Sequence, residues 1–109
     1  VSQSYEERVG KNEAAFRGIN ERLEAGELPA DAAKPVAFCC ECARLGCNDL
    51  VEVTIAEYEQ IRANPRRFLL AVGHEVEGAE RVVQSYPDHI VVEKVGEAGE
   101  VALRTDPRS

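Results

Sequence analysis

The chain has 109 residues, enough for one domain and too few for two independent cores. Thirteen Lys and Arg stand against 20 Asp and Glu, a formal net charge of −7, so most of the surface repels a phosphate backbone and generic nucleic-acid binding is disfavoured. No apolar run is long enough to span a membrane, and no basic stretch leads into an apolar one as in a signal peptide, so a cytoplasmic setting is expected.

Ser4-Tyr5-Glu6-Glu7 has the form of a capping box. Tyr5, Val9, Phe16, Ile19 and Leu23 follow at helical spacing on one stripe, and Gly26 is placed to end the helix. An amphipathic helix is therefore expected over residues 4–25, within an N-terminal unit of residues 1–25. Gly10 and Gly18 weaken it by about 1 kcal/mol each relative to Ala. Residues 26–35 are rich in small residues and Pro and read as a linker, with the compact domain over 36–109.

Val36-Ala37-Phe38 enters the domain as a short strand, and Asp49 to Val53 alternates as the second strand of a hairpin. Thr54-Ile55-Ala56-Glu57 is a second capping box, opening a central helix with Ile55, Tyr58 and Ile61 on one side. That helix stops at Asn64-Pro65, because the residue before Pro avoids the helical region. Phe68 to Val72 is a continuous apolar run suited to a buried strand or to a segment lying against the core. Glu77 to Tyr86 is expected as a short helix with Val82 and Val83 turned inward, and His89 to Val95 as a strand. Residues 96–104 fit strand or helix, and the tail from Thr105 is expected to be exposed. With three Phe, three Tyr and no Trp, the core rests on aliphatic residues, and a domain of this size gains from a further cross-link.

The chemistry lies in Cys39, Cys40, Cys42 and Cys47. Four cysteines this close cannot tie distant parts of a chain together as disulfides, whereas a tetrahedral zinc ion takes two or three ligands from such a turn. His74 can supply the fourth, with Gly73 allowing a sharp exit from the preceding apolar segment. Two local sets compete: Cys39-x-x-Cys42 with Cys47, and Cys40-Glu41-Cys42 with Cys47. Alternation along the strand sends Cys40 to the core if Phe38 points there, leaving Cys39 to pack as a small apolar residue. Four cysteines without His74 form a third set, strained because adjacent cysteines seldom converge on one ion. His89 reads as an ordinary turn residue.

Phe38-x-Cys40-Glu41-Cys42 with Cys47, Tyr58 before Arg62-x-x-Pro65-x-Arg67-Phe68, Gly73-His74-Glu75, and the closing Asp106-Pro107-Arg108 resemble a group of small, mostly actinobacterial proteins. The resemblance covers nearly the whole chain, including Asn12 to Leu23. It implies a metal site of Cys40, Cys42, Cys47 and His74 with Cys39 outside it, and it carries no activity across.

Catalytic signatures fail on inspection. His74-Glu75 lacks a second His at Gly78 for a zinc protease. The cysteines come before any His and without a preceding Pro, against the zinc deaminase pattern. Cys39 to Cys42 leads into a turn and not a helix, against a thioredoxin-like site. Arg62, Arg66 and Arg67 form a basic cluster that suits either a helix C-terminus or a docking patch for an acidic partner. The stripe of Phe16, Ile19 and Leu23 suits either packing on its own domain or capture of a protein partner or second copy.

The sequence thus points to an α+β domain with a metal-stapled hairpin, a central helix and an N-terminal amphipathic helix. One zinc ion per chain is expected, although iron accepts the same donors. A non-catalytic regulatory or interaction module is the leading reading. A small metalloenzyme with an open zinc position and a thiol sensor using the spare cysteine are the alternatives.

Overall fold

The computed structural model describes residues 17–25, 33, 35–42 and 47–106. Residues 17–25 are helical (α1), followed by strands β1 (Pro35–Cys39) and β2 (Leu50–Thr54), helix α2 (Ile55–Arg62), strands β3 (Arg67–Ala71), β4 (Glu80–Ser85) and β5 (His89–Lys94), and helix α3 (Gly96–Arg104). The strands make two antiparallel sheets, β1-β2 and β3-β5-β4, so the fold is α+β. Among the described residues no helix is long and apolar enough to cross a membrane.

The hairpin follows the alternation of its sequence. Val36 lies opposite Val53 and Phe38 opposite Val51, and all four are buried on one face. At Thr54 the chain turns directly into α2: the Thr54 hydroxyl accepts from Glu57 N, and the Glu57 carboxylate accepts from Thr54 N. Ile55, Tyr58 and Ile61 are then buried, with Tyr58 stacked on Phe38 at 4.3 Å between ring centres. Phe68, Leu69 and Leu70 are also buried. β5, the middle strand, is covered on both faces, which explains its unbroken apolar run.

Two expectations are corrected. The stretch from Glu77 to Tyr86 is not a helix: β4 runs through it, Val82 is largely exposed, and Val83 is half-buried against the core. Adjacent β-branched residues favour extended backbone, and Glu80 pairs with Lys94 inside the sheet, where the ammonium also faces the Phe68 ring. A bulge hid this strand from a period-two reading. Val82 lies opposite Val92 and Gln84 opposite Val91, so Val83 is an extra residue. The tail is not free at its start, because Asp106 accepts a hydrogen bond from the buried Arg62. Residues 96–104 resolve as helix, with Gly99 close to Lys94: a Cβ there would sit 3.1 Å from the Lys94 carbonyl oxygen.

α1 meets the domain through polar side chains. Arg17, Asn20 and Glu24, spaced three and four residues apart, are buried, while Leu23 is exposed and Ile19 half-buried. The Arg17 guanidinium lies 3.9 Å above the Phe68 ring and donates to the carbonyl oxygens of Pro65 and Arg67. The capping box at Ser4, together with Tyr5, Val9 and Phe16, lies outside the described residues, as do most of the linker and residues 107–109.

Candidate metal centre

Three ligands come from the loop end of the β1-β2 hairpin and one from the segment after β3. Cys40 and Cys42 follow β1, and Cys47 stands just before β2. The hairpin pairing continues one step past its strands, through Cys40 N donating to Asp49 O at 2.9 Å. His74 follows the turn after β3. Gly73 adopts φ of 83°, a left-handed conformation that L residues rarely take, and His74 N closes the turn onto Ala71 O.

The ligand atoms of Cys40, Cys42, Cys47 and His74 all lie within 4.8 Å of one another. His74 Nδ1 is 3.5 Å from Cys40 Sγ and 3.6 Å from Cys47 Sγ. For tetrahedral zinc with bonds of about 2.3 Å to sulfur and about 2.0 Å to nitrogen, the sulfur–nitrogen edge is about 3.5 Å. A single ring nitrogen has one in-plane hydrogen-bonding position and cannot serve two thiols well at once. One ion between them accounts for both distances.

The surroundings suit that role. His74 Nε2 lies 3.2 Å from Asp49 Oδ2; the carboxylate accepts from Nε2–H, which leaves Nδ1 to face the thiols, as in many metal-bound histidines. Ala71 N donates to Cys40 Sγ at 3.1 Å. Burial pushes the Cys40 thiol well up, Cys42 and Cys47 add to that, and the Ala71 N–H offsets only part of it. A divalent cation reverses that balance, because a coordinating thiol is deprotonated outright.

Cys39 stands apart. Its residue is half-buried, its side chain lies outside the cluster, and its backbone is clasped by Asn20: Cys39 N donates to Asn20 Oδ1 at 2.7 Å, and Asn20 Nδ2 donates to Cys39 O at 2.8 Å. Donor meets acceptor at both ends, which fixes the amide orientation.

Glu41, between two ligands, is the residue that sequence reasoning passed over. It is fully buried, and its carboxylate accepts from Leu69 N at 3.0 Å, Asn20 Nδ2 at 2.8 Å and the Tyr58 hydroxyl at 2.7 Å. Glu41 N donates to Leu69 O at 2.8 Å, so the residue grips both polar groups of Leu69. Burial pushes its carboxyl above the usual range, while the three donors and the Arg17 charge pull it back. β3 has a free edge, and the centre covers it: Arg17 takes the carbonyl of Arg67, Glu41 takes Leu69, and Cys40 takes the N–H of Ala71.

The other candidate residues do not gather here. Phe16 lies outside the described residues, and on α1 Ile19 is half-buried and Leu23 exposed, neither belonging to the cluster. Arg62 is buried, donating to Glu21 at 2.7 Å and to Asp106. Arg66 faces Glu100 at 3.7 Å and Arg67 faces Glu93 at 3.2 Å. His89 is a buried strand residue, hydrogen-bonded to Asp88 and stacked on Tyr86, and not a turn residue.

No protein-family model matches this chain, and no curated protein or solved structure matches it. The fold and the cluster define it as a small α+β domain whose Cys3His group sits close enough to bind one metal ion.

Proposed function

We propose that Cys40, Cys42, Cys47 and His74 hold one structural zinc ion and that the domain so stabilised works as a non-catalytic interaction or regulatory module. The observation that carries this reading is the convergence of four donors, three from the hairpin and one from beyond β3, within 4.8 Å. The ion would join the two sheets where Glu41 already grips Leu69. Four protein ligands fill a tetrahedron, and three thiolates leave zinc a poor Lewis acid, which favours structure over catalysis.

Protein purified without added metal should carry close to one zinc per chain by plasma emission spectrometry. Cobalt substitution should give the strong visible bands of a tetrahedral thiolate site, unchanged by cyanide or acetate. A metal-free, disulfide-bonded product would overturn the site. A cobalt spectrum that shifts with added ligands would mean an open position and a metalloenzyme.

A protein partner or second copy would meet the outward side of α1, where Leu23 is exposed and Ile19 half-buried. Apolar anchors dominate interface energies, whereas exposed arginines mainly steer approach. Light scattering should show Leu23→Ala reducing any self-association of the zinc-loaded chain. An equal mass for both proteins at all concentrations would remove self-association through this face.

A further inference from the structure

A second feature lies away from the metal. A cleft of about 310 Å³ opens between α2 and the β3-β5-β4 sheet, a volume at the small end of ligand pockets. Val53, Ile61 and Val91 give it an apolar lining, and Arg67, Gln84 and His89 give it polar groups. The bulge in β4 matters here, because it sets Gln84 opposite Val91 on the cleft face, where an unbroken strand would place Val83.

His89 is held in one orientation. Its residue is 6% exposed, its ring stacks on Tyr86 at 4.5 Å, and its Nδ1 lies 2.7 Å from Asp88 Oδ1. The His89 hydrogen bond holds Asp88 below the usual carboxylate range, so Asp88 is an acceptor and Nδ1 carries the proton. With Nδ1 engaged by Asp88, Nε2 is the ring nitrogen left for a ligand, and it has no partner among the described residues. Arg67 donates to Glu93 through Nε, and its two terminal nitrogens likewise have no partner among the described residues. Glu57, the carboxylate at the rim, is turned back onto Thr54 by the capping box.

Spacing selects the ligand. Arg67 lies opposite Glu93 and His89 opposite Ala71, an offset of four residues or about 13 Å between Cα positions, with Val91 midway. A ligand that meets both ends lies along Val91. We infer that this cleft binds a small flat molecule carrying a carboxylate at one end and a hydroxyl at the other, with an apolar body about one aromatic ring long. The carboxylate meets the terminal fork of Arg67, the hydroxyl donates to His89 Nε2, and the ring covers Val53, Ile61 and Val91.

The test uses the zinc-loaded full chain with ¹⁵N-labelled histidine, titrated with 4-hydroxyphenylacetate, phenylacetate, phenol and inorganic phosphate. The first probe should saturate while moving the His89 Nε2 resonance. Phenylacetate lacks the hydroxyl and phenol the carboxylate, and each should bind about tenfold more weakly, because one hydrogen bond to a buried or charged group is lost. Arg67→Lys, which keeps the charge beside Glu93 but not the fork, should weaken 4-hydroxyphenylacetate and leave phenol unchanged. Equal affinities for 4-hydroxyphenylacetate and phenylacetate, a dominant response to phosphate, or no saturable change at His89 would each overturn the inference.

Discussion

Cys40→Ser, Cys42→Ser, Cys47→Ser and His74→Ala should each release the metal and unfold most of the domain, while Cys39→Ala leaves both nearly intact. Binding free energy at a structural zinc site is folding free energy, on the order of 10 kcal/mol or more. A domain of this size has about 5–15 kcal/mol in total, so losing one ligand removes most of its stability. Here the loss is compounded, because Cys40 also accepts from Ala71 N and His74 is oriented by Asp49. Cys39 contributes its backbone to Asn20 and no atom to the cluster, so its truncation should cost about 1 kcal/mol or less. Metal content after gel filtration and circular dichroism of each variant decide the matter. If Cys39→Ala loses metal and Cys40→Ser keeps it, the ligand set is shifted by one residue.

Much of this fold can be read from local pattern. The alternation of Val36 with Phe38 and of Val51 with Val53 gives the hairpin, Thr54 and Glu57 give the start of α2, and the run at Phe68 gives β3. Those signals work because each depends on neighbours in sequence. The cysteine turn and His74 were legible for a different reason: few residue types bind zinc, so gathered thiols narrow the choice of the fourth ligand. What escaped depends on distant atoms. The bulge at Val83 breaks the alternation of β4, and only the pairing with β5 reveals it. On α1 the apolar stripe drew attention to Ile19 and Leu23, yet Arg17, Asn20 and Glu24 face the domain. No hydrophobic period marks such a face, because its partners are Cys39, Glu41, Pro65 and Phe68, between 19 and 51 positions along the chain. Glu41 hid in the same way. Its one signal was a carboxylate placed between two cysteines that both turn inward.

Glu41→Ala should destabilise the zinc-loaded protein by about 3–5 kcal/mol while leaving the four ligand residues unchanged. The truncation strands Leu69 N and the Tyr58 hydroxyl and leaves Asn20 Nδ2 with only its bond to Cys39 O. It also removes the largest compensating charge from Arg17, which is buried and has two nitrogens, Nε and Nη1, without hydrogen-bond partners among the described residues. Glu41→Gln should be milder, about 1–3 kcal/mol, since one oxygen still accepts from Leu69 while the amide nitrogen opposes Asn20. Tyr58 can answer that change by turning its hydroxyl to accept. Asn20→Ala should also cost about 1–3 kcal/mol in the native background, and less once Glu41 is gone. Urea unfolding in the presence of zinc measures all three and their coupling. Native zinc content should stay near one per chain in each variant, which separates this clasp from the metal itself. A Glu41→Ala variant within 0.5 kcal/mol of the parent, or full additivity with Asn20→Ala, would show that the buried carboxylate does not hold the hairpin to β3.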